Sequence, residues 1–260
     1  MSAVLLEIDG PKAVLTLNRP QDGNRMGDDI FHALEAAVHD LTGRSGLRAL
    51  LLRAEGPNFC VGGAIDEFVR GEEALDQRLR RELPRVHRVI ETLAGLSFPV
   101  VSALGGAVSG GGIGFALLAD IVLAADDTFF RAGYPGIGLS PDLGGSYQIV
   151  RRAGATFASE FLISNRRVEA QEALRAGLVN AVHPAAGLDA AARALLDDLA
   201  RGPTLSHAAV KRLVAAQAQT PLAAHLDLEM ELMVDCAASD DSRRAIEAFL
   251  AKRSAVFSGS

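Results

Sequence analysis

The hydrophobic positions in the first half of the chain follow two periods, one typical of strands and one typical of helices. Runs rich in aliphatic and β-branched residues predict strands at Ala3–Ile8, Ala13–Leu17, Ala49–Arg53, Val100–Leu104, Ile121–Ala125 and Thr128–Arg131. Asp9-Gly10-Pro11 separates the first two runs and predicts a hairpin turn. Apolar residues three and four apart predict a helix over Asp28–Leu41, and a second helix is predicted to end near Asp120. The alternation of strands and helices indicates an α/β fold.

A polar helix rich in Arg and Glu is predicted over Glu72–Leu96, and Pro84 is expected to kink or break it. From Gly144 onward helical periodicity dominates, with one strand predicted at Val179–Val182. The helices predicted there are Tyr147–Arg152, Thr156–Ser164, Glu169–Ala176, Leu188–Ala200, Leu205–Ala218, Leu222–Ala237 and Ser242–Lys252.

The Gly202-Pro203 pair predicts a boundary between a core over residues 1–200 and a helical tail over residues 201–260. The tail helices carry wide apolar faces with little chain left to cover them. The residues that show this are Leu222, Leu226, Met230 and Met233. Oligomerisation and packing onto the chain's own core explain these faces equally well.

Composition narrows the class of protein. The chain has 260 residues, 49% of them hydrophobic, and a formal net charge of −6, which indicates a folded globule and argues against a nucleic-acid ligand. The only cysteines, Cys60 and Cys236, are too few for a disulfide scaffold. No apolar stretch is long enough to span a bilayer, and the first residues do not resemble a signal peptide. We therefore expect a cytoplasmic protein with reduced thiols.

Two glycine clusters each follow a predicted strand. Gly62-Gly63 comes after Ala49–Arg53, and Gly110-Gly111-Gly112 comes after Val100–Leu104. Glycine allows close backbone approach, and the second cluster opens a helix, whose first N–H groups have no partner within the helix. Two such turns brought together would form a two-donor oxyanion hole. The alternative is that these glycines only make tight turns.

The spacing of the residues gives less support to phosphate binding, metal binding or serine hydrolysis. No glycine-rich phosphate loop with its lysine is present, and the scattered histidines give no metal-ligand spacing. A serine hydrolase reading would use Ser109, Asp142 and His183, but Ser109 follows its strand by several residues rather than standing directly at the turn. A small residue packed beside the glycines is the better interpretation of Ser109.

Four segments in order resemble those of a known family. They are Leu17-Asn18-Arg19-Pro20 with Asn24, Phe59-Cys60-Val61-Gly62-Gly63, Gly106-Ala107-Val108-Ser109-Gly110-Gly111-Gly112, and Gly138-Leu139-Ser140-Pro141-Asp142-Leu143-Gly144-Gly145-Ser146. Their order and spacing resemble the crotonase, or enoyl-CoA hydratase/isomerase, superfamily over nearly the whole chain. The branch that they resemble most contains the 3-enoyl-CoA isomerases and the phenylacetate-pathway ring-epoxide isomerase.

The resemblance implies a crotonase-like spiral of ββα units with a C-terminal helical trimerisation region. It also implies a homotrimer or a dimer of trimers, and an acyl-CoA thioester as substrate with neither cofactor nor metal. The family's two oxyanion-hole amides fall on Gly63 and Gly111. The residues that the resemblance assigns to substrate binding are Gly62, Ala64, Ile65, Asp66, Gly110, Tyr134, Lys252 and Arg253. Of these, Lys252 or Arg253 would reach the coenzyme A phosphates across a subunit boundary. Loops around Phe68–Leu79 and Phe129–Pro135 would line the acyl pocket.

The chain departs from the family's hydratases at the two glutamates that activate water and deliver a proton. Gly114 and Tyr134 stand at those positions, and Ala64 replaces the usual aspartate after the first glycine pair. Asp142 supplies a different carboxylate, which the isomerase branch uses as its acid/base, and one base suffices to move a proton between two carbons. Asp142 could instead cap the following helix.

The sequence thus predicts an acyl-CoA isomerase acting on a 3-enoyl-CoA or a ring-epoxide acyl-CoA. The alternatives are a hydratase, a decarboxylase or a thioester hydrolase of the same family, or a non-catalytic acyl-CoA-binding protein. An apolar pocket with Asp142 at its floor favours the isomerase, whereas Asp142 turned to solvent favours the binding protein.

Overall fold

The computed structural model describes residues 2–70 and 72–260. Residue 1 of the predicted core and residue 71 of the predicted loop Phe68–Leu79 lie outside the described residues. Six strands form the larger sheet in the order β1-β2-β3-β4-β6-β9. They are β1 (Val4–Asp9), β2 (Lys12–Leu17), β3 (Ala49–Ala54), β4 (Val100–Leu104), β6 (Ile121–Ala125) and β9 (Ala181–His183). The first pair is the predicted antiparallel hairpin, and every later pair is parallel.

A three-stranded sheet lies beside the larger one. It contains β5 (Ala107–Ser109), β7 (Phe129–Arg131) and β8 (Arg167–Glu169) in that order. Two single-residue bridges extend the layer, one between Cys60 and Val108 and one between Met26 and Gly63. The segments that follow β3 and β4 are therefore joined by backbone hydrogen bonds.

The helices surround these sheets. They are α1 (Asp28–Thr42), α2 (Ile65–Phe68), α3 (Leu75–Ala94), α4 (Gly111–Leu117), α5 (Gly145–Ser164), α6 (Ala170–Ala176), α7 (Leu188–Arg201), α8 (Thr204–Ala216), α9 (Leu222–Ala237) and α10 (Asp240–Leu250). Within α5, Gly154 is not helical (φ 80°, ψ 164°), so the chain forms two helical pieces there, as the sequence predicted. Pro84 was expected to kink or break its helix, and the expectation of a break is wrong, because α3 continues from Leu75 to Ala94 with Pro84 inside it. Pro84 is exposed, and on an exposed side of a helix water can hydrogen-bond a carbonyl that loses its partner.

The core lies on both faces of the larger sheet. Leu50 and Leu52 of β3 pack with the helices on one face, whereas Ala49 and Leu51 pack with α7 on the other. Successive side chains of a strand point to opposite faces, so a strand buried on both sides is a continuous apolar run. This explains why β3, β4 and β6 were readily predicted from the sequence.

Gly202-Pro203 stands between α7 and α8, where the sequence predicted a boundary, and the division of the chain into 1–200 and 201–260 stays a prediction. Arg48 joins the two parts. Its guanidinium donates to the Gly202 carbonyl (2.5 Å), the Thr204 hydroxyl (2.8 Å) and the Phe257 carbonyl (3.1 Å). In the part of the chain that the structure describes, no helix is long and apolar enough to cross a membrane.

Candidate active site

The two glycine turns line one cleft with a volume of about 430 Å³. Their backbones are almost in contact, since a Cβ built on Gly110 would lie 3.2 Å from Cα of Gly62 and 3.8 Å from N of Gly63. The amide of Ser109 donates to the Cys60 carbonyl at 2.9 Å, which holds the two segments together. Gly62 (φ 113°) and Gly110 (φ 52°) adopt backbone angles that other residues rarely adopt, so the turns require glycine.

Among the described residues, no hydrogen bond is seen from the backbone amides of Gly63 and Gly111. Gly111 is the first residue of α4, where an N–H has no acceptor within the helix. In the other turn, the Gly62 carbonyl and the Ala64 amide hydrogen-bond with Met26 at 2.7 and 2.9 Å. Because neighbouring residues of an extended segment point to opposite sides, the N–H of Gly63 points away from Met26.

Asp142 lies in the same cleft, in the loop before α5. Its carboxylate Oδ1 lies 2.8 Å from Nε2 of His87, which projects from α3, and the Asp142 side chain is 28% exposed. The helix-cap interpretation of Asp142 is wrong. The N-cap residue of α5 is Gly144, and no side chain caps this helix. The Asp142 carboxylate therefore makes no capping hydrogen bond to α5, and it lines the cleft instead.

Position 114, which the resemblance matches to the first glutamate of the hydratases, has no room for a side chain. A Cβ built on Gly114 would lie 2.0 Å from the Leu143 carbonyl oxygen and 2.9 Å from the Gly145 amide nitrogen. Tyr134, which the resemblance matches to the second glutamate, lines the cleft, and its hydroxyl donates to the backbone carbonyl of Asp142 at 3.4 Å. Burial raises the pKa of Tyr134, so the side chain stays a neutral phenol at physiological pH.

Much of the cleft wall is apolar. The apolar side chains that line it are Met26, Phe31, Phe68, Leu75, Leu79, Leu83, Ile137 and Leu139. The rings of Phe31 and Phe68 stack with centroids 6.3 Å apart. The cleft therefore combines an apolar surface with one carboxylate and two glycine turns, which is the arrangement of a small-molecule site.

The structure brings some of the predicted binding residues into this cleft and leaves others outside it. Gly62, Ile65, Gly110 and Tyr134 line the cleft together with Gly63, Gly111 and Asp142. The Ala64 side chain is fully buried and is not part of the lining.

Three charged residues that the resemblance assigned to the ligand lie outside the lining. Asp66 forms ion pairs with Arg25 and Arg70. Lys252 and Arg253 follow α10 on the surface and do not line the cleft. Contact between these residues and coenzyme A stays a prediction.

The structure does not assemble the serine hydrolase alternative. Ser109 lines the cleft, but His183 ends β9 at the edge of the larger sheet and is not part of the lining. Cys60 is no better as a nucleophile. Burial raises the pKa of its thiol to about 12, which leaves almost no thiolate at neutral pH.

His87 is the site residue that sequence reasoning missed. It looked like one polar residue among many in a charged helix. One signal was available, since Leu75, Leu79, Leu83 and His87 recur every fourth residue and so share one face of α3. The first three line the cleft and the fourth contacts Asp142.

Comparisons with known proteins agree with this geometry. A family model described as enoyl-CoA hydratase/isomerase matches residues 8–260. The chain is 34% identical to a Rhodobacter capsulatus protein named probable enoyl-CoA hydratase, covering 97% of this chain and 96% of that protein. It is 30% identical to the 1,2-epoxyphenylacetyl-CoA isomerase of Escherichia coli, covering 100% of this chain and 99% of that protein. The crystal structure of an enoyl-CoA hydratase from Polaromonas sp. JS666 superposes with a TM-score of 0.91 at 28% identity, covering 98% and 99% of the two chains.

Proposed function

Because the chain belongs to the enoyl-CoA hydratase/isomerase family, we propose that it is an acyl-CoA isomerase whose single acid/base is Asp142. Its substrate would be a 3-enoyl-CoA, converted to the 2-enoyl-CoA, or a ring-epoxide acyl-CoA. The backbone amides of Gly63 and Gly111 would bind the thioester oxygen.

The proposed double-bond shift needs one proton to leave one carbon and return to another. The Asp142 carboxylate takes a proton from C2, and the electrons of that bond spread over C2 to C4 and the thioester oxygen. The Gly63 and Gly111 amides stabilise the resulting dienolate oxygen, and each such donor contributes about 3 kcal/mol to the transition state. Protonated Asp142 then gives the proton to C4, and the carbonyl re-forms with the double bond between C2 and C3. The reaction consumes neither water nor a redox partner.

One observation carries the proposal, namely that Asp142 shares its cleft with both glycine turns while Gly114 has no space for a second carboxylate. Isomerisation needs one group that can both accept and donate a proton, whereas water addition needs a group to activate the water as well. The cleft also combines an apolar lining with a few polar groups, which supports the binding of an acyl thioester.

Hydration is the second candidate function, because the Rhodobacter relative bears a hydratase name. In that case, Asp142 and His87, whose side chains are 2.8 Å apart, would have to share the activation of water and the delivery of the proton. Decarboxylation and thioester hydrolysis stay alternatives at the same site.

The coenzyme A moiety would extend from the cleft towards solvent. Because Lys252 and Arg253 do not line the cleft of their own chain, the proposal assigns their contact with the coenzyme A phosphates to a neighbouring subunit of a homotrimer or a dimer of trimers. Exposed apolar residues on α9 and α10 support such an assembly, with Met233 71% and Phe249 80% exposed in the single chain.

The test is to incubate the protein with a 3-enoyl-CoA, a ring-epoxide acyl-CoA and a 2-enoyl-CoA, and to separate the products by chromatography with mass detection. Isomerisation leaves the mass unchanged, whereas hydration adds one water. We expect mass-neutral conversion of the first or second substrate. Conversion of the 2-enoyl-CoA to its hydrated product, with no isomerisation of the other two, would establish the hydratase instead.

A further inference from the structure

We propose that His87 is a positioning residue that fixes the orientation of the Asp142 carboxylate and selects which of its two oxygens exchanges the proton. This inference rests on the proposed acid/base role of Asp142. It assigns a role to a side chain outside the cleft that neither the sequence motifs nor the family resemblance marked.

The contact between the two residues is specific. Nε2 of His87 lies 2.8 Å from Oδ1 of Asp142, well within hydrogen-bond distance. Among residues 2–70 and 72–260, no other side chain is seen to hydrogen-bond the Asp142 carboxylate. Oδ1 is therefore engaged and Oδ2 is left for the substrate.

The two residues differ in how firmly the fold holds them. His87 lies within α3 beside Val86 and Val89, which are buried in the core and anchor the helix. Asp142 lies in a loop, followed by Leu143 (φ 52°) and Gly144 (φ 78°), both in the left-handed region. A loop carboxylate that is 28% exposed has rotamer freedom of its own, so the hydrogen bond from the helix is what restricts it.

The hydrogen bond suits both protonation states of Asp142. With its proton on Nε2, a neutral His87 donates to Oδ1 when Asp142 is a carboxylate. When Oδ2 carries the proton, Oδ1 is the carbonyl oxygen of the carboxylic acid and still accepts the hydrogen bond from His87. The proton taken from the substrate is thereby directed to Oδ2 and stays there until it is returned. Because His87 is absent from the cleft lining, the proposed role is exerted through Asp142.

The role predicts different effects for two substitutions of His87. His87→Ala keeps a residue that favours helix but removes the donor. His87→Gln places an amide nitrogen near the position of Nε2, so it keeps the donor but cannot carry a proton between groups. We expect His87→Ala to lower kcat about 10–100-fold with little change in KM, because misplacement of a catalytic group by about 1 Å can reduce the rate about 100-fold. We expect His87→Gln to recover most of that loss.

The control is His39→Ala, which changes an exposed histidine on α1 remote from the cleft lining. Circular dichroism verifies that all variants fold. An alanine variant with wild-type kcat would overturn the proposal, because the carboxylate would then be held by other means. A glutamine variant as slow as the alanine variant would also overturn it, because His87 would then carry a proton itself.

A second readout separates this inference from the proposed isomerisation. In heavy water, a base next to an oxyanion hole exchanges the C2 hydrogens of a saturated thioester such as hexanoyl-CoA, whether or not the enzyme shifts double bonds. If the wild type exchanges deuterium but does not isomerise, the proposed function fails, and the exchange rates of the same variants still test His87. If the wild type does not exchange at all, Asp142 is not a base towards thioesters and the inference about His87 fails as well.

Discussion

The carbonyl oxygen of Leu143 occupies the space that any side chain at Gly114 would need, 2.0 Å from a Cβ built on that glycine. This contact joins the middle of α4 to the loop that carries Asp142. Because the loop lies against α4, position 114 cannot hold a carboxylate, and the carboxylate that the cleft does contain comes from the loop itself. This packing therefore excludes a carboxylate at position 114 and leaves Asp142 as the only carboxylate among the described residues that line the cleft.

Substituting Gly114 should destabilise the protein. In Gly114→Ala the new methyl group overlaps the Leu143 carbonyl, and forcing extra atoms into a packed interior costs about 1–3 kcal/mol. Urea denaturation followed by circular dichroism measures the change in the free energy of unfolding. The matched control is Gly105→Ala, because a Cβ at Gly105 has no neighbour within 4 Å. If the two variants were equally stable, the loop that contains Leu143 would be able to move away from the new methyl group at no cost in free energy.

The leucines of α3 should set the length of the acyl chain. Leu79 lines the apolar wall of the cleft, so Leu79→Phe would shorten the space available to the acyl tail. We expect kcat/KM for a ten-carbon enoyl-CoA to fall about tenfold or more, since each excluded methylene is worth about 1–3 kcal/mol, while a four-carbon substrate is barely affected. Leu205→Phe, on the exposed surface of α8, is the control. If kcat/KM fell equally for the ten-carbon and the four-carbon substrates, the acyl tail would not lie against Leu79.

The apolar face of α9 should be buried in an oligomer. Met230 and Met233 are 61% and 71% exposed in the single chain, and we expect light scattering to report a trimer or a pair of trimers. Replacing both residues with Glu would place unpaired charges in the interface and shift the protein to smaller species. Glu231→Gln, on the same helix and exposed, should leave the assembly intact. A wild-type monomer at micromolar concentration would contradict the prediction.

Asp241 makes the attachment of the carboxyl terminus dependent on pH. Burial of its carboxylate opposes ionisation, but hydrogen bonds from the Ser258 and Gly259 amides, the Ser258 hydroxyl and Arg244 outweigh burial and lower the pKa to about 2. A carboxylate whose pKa is lowered on folding stabilises the folded state above its unfolded pKa of about 3.9, and this stabilisation is lost as the pH falls towards about 2.

Asp241→Asn should therefore release the last residues of the chain even at neutral pH. Hydrogen exchange measured by mass spectrometry would detect faster exchange at the Ser258 and Gly259 amides, which donate to the carboxylate at 2.7 Å. Asp240→Asn, at the exposed neighbouring position, provides the comparison. If exchange at both amides were unchanged in Asp241→Asn, another contact would hold the carboxyl terminus.

The elements of the fold that could be predicted from the sequence are those whose burial produces a regular pattern of hydrophobic residues. β4 (Val100–Leu104) and β6 (Ile121–Ala125) match their predictions from end to end, because strands buried on both faces are unbroken apolar runs. β5 and β8 were missed because each has three residues of which only one, a valine, is β-branched or aromatic, whereas the equally short β7 contains two phenylalanines. The pattern within so short a segment does not separate a strand from a loop.

The candidate site could be predicted in part, and only through the combination of motifs. Gly63, Gly111 and Asp142 were identified by their register with the family, and the fold places them in one cleft. Neither the contact of Asp142 with His87 nor the absence of a helix cap could be predicted, because both depend on how α3 approaches the loop before α5. The spacing of Leu75, Leu79, Leu83 and His87 places these residues on one face of α3, but it does not reveal which loop that face meets.

The most direct test of the central claim compares Asp142→Asn with the wild type. Asparagine is nearly isosteric with aspartate but cannot take up a proton. We therefore expect the variant to lose about 10²–10⁴-fold in kcat for isomerisation of a 3-enoyl-CoA or a ring-epoxide acyl-CoA. Thermal unfolding and the affinity for a saturated acyl-CoA should change little, because the Asp142 side chain caps no helix. Near-normal turnover by a folded Asp142→Asn variant would contradict the account, because the proton would then be carried by another group.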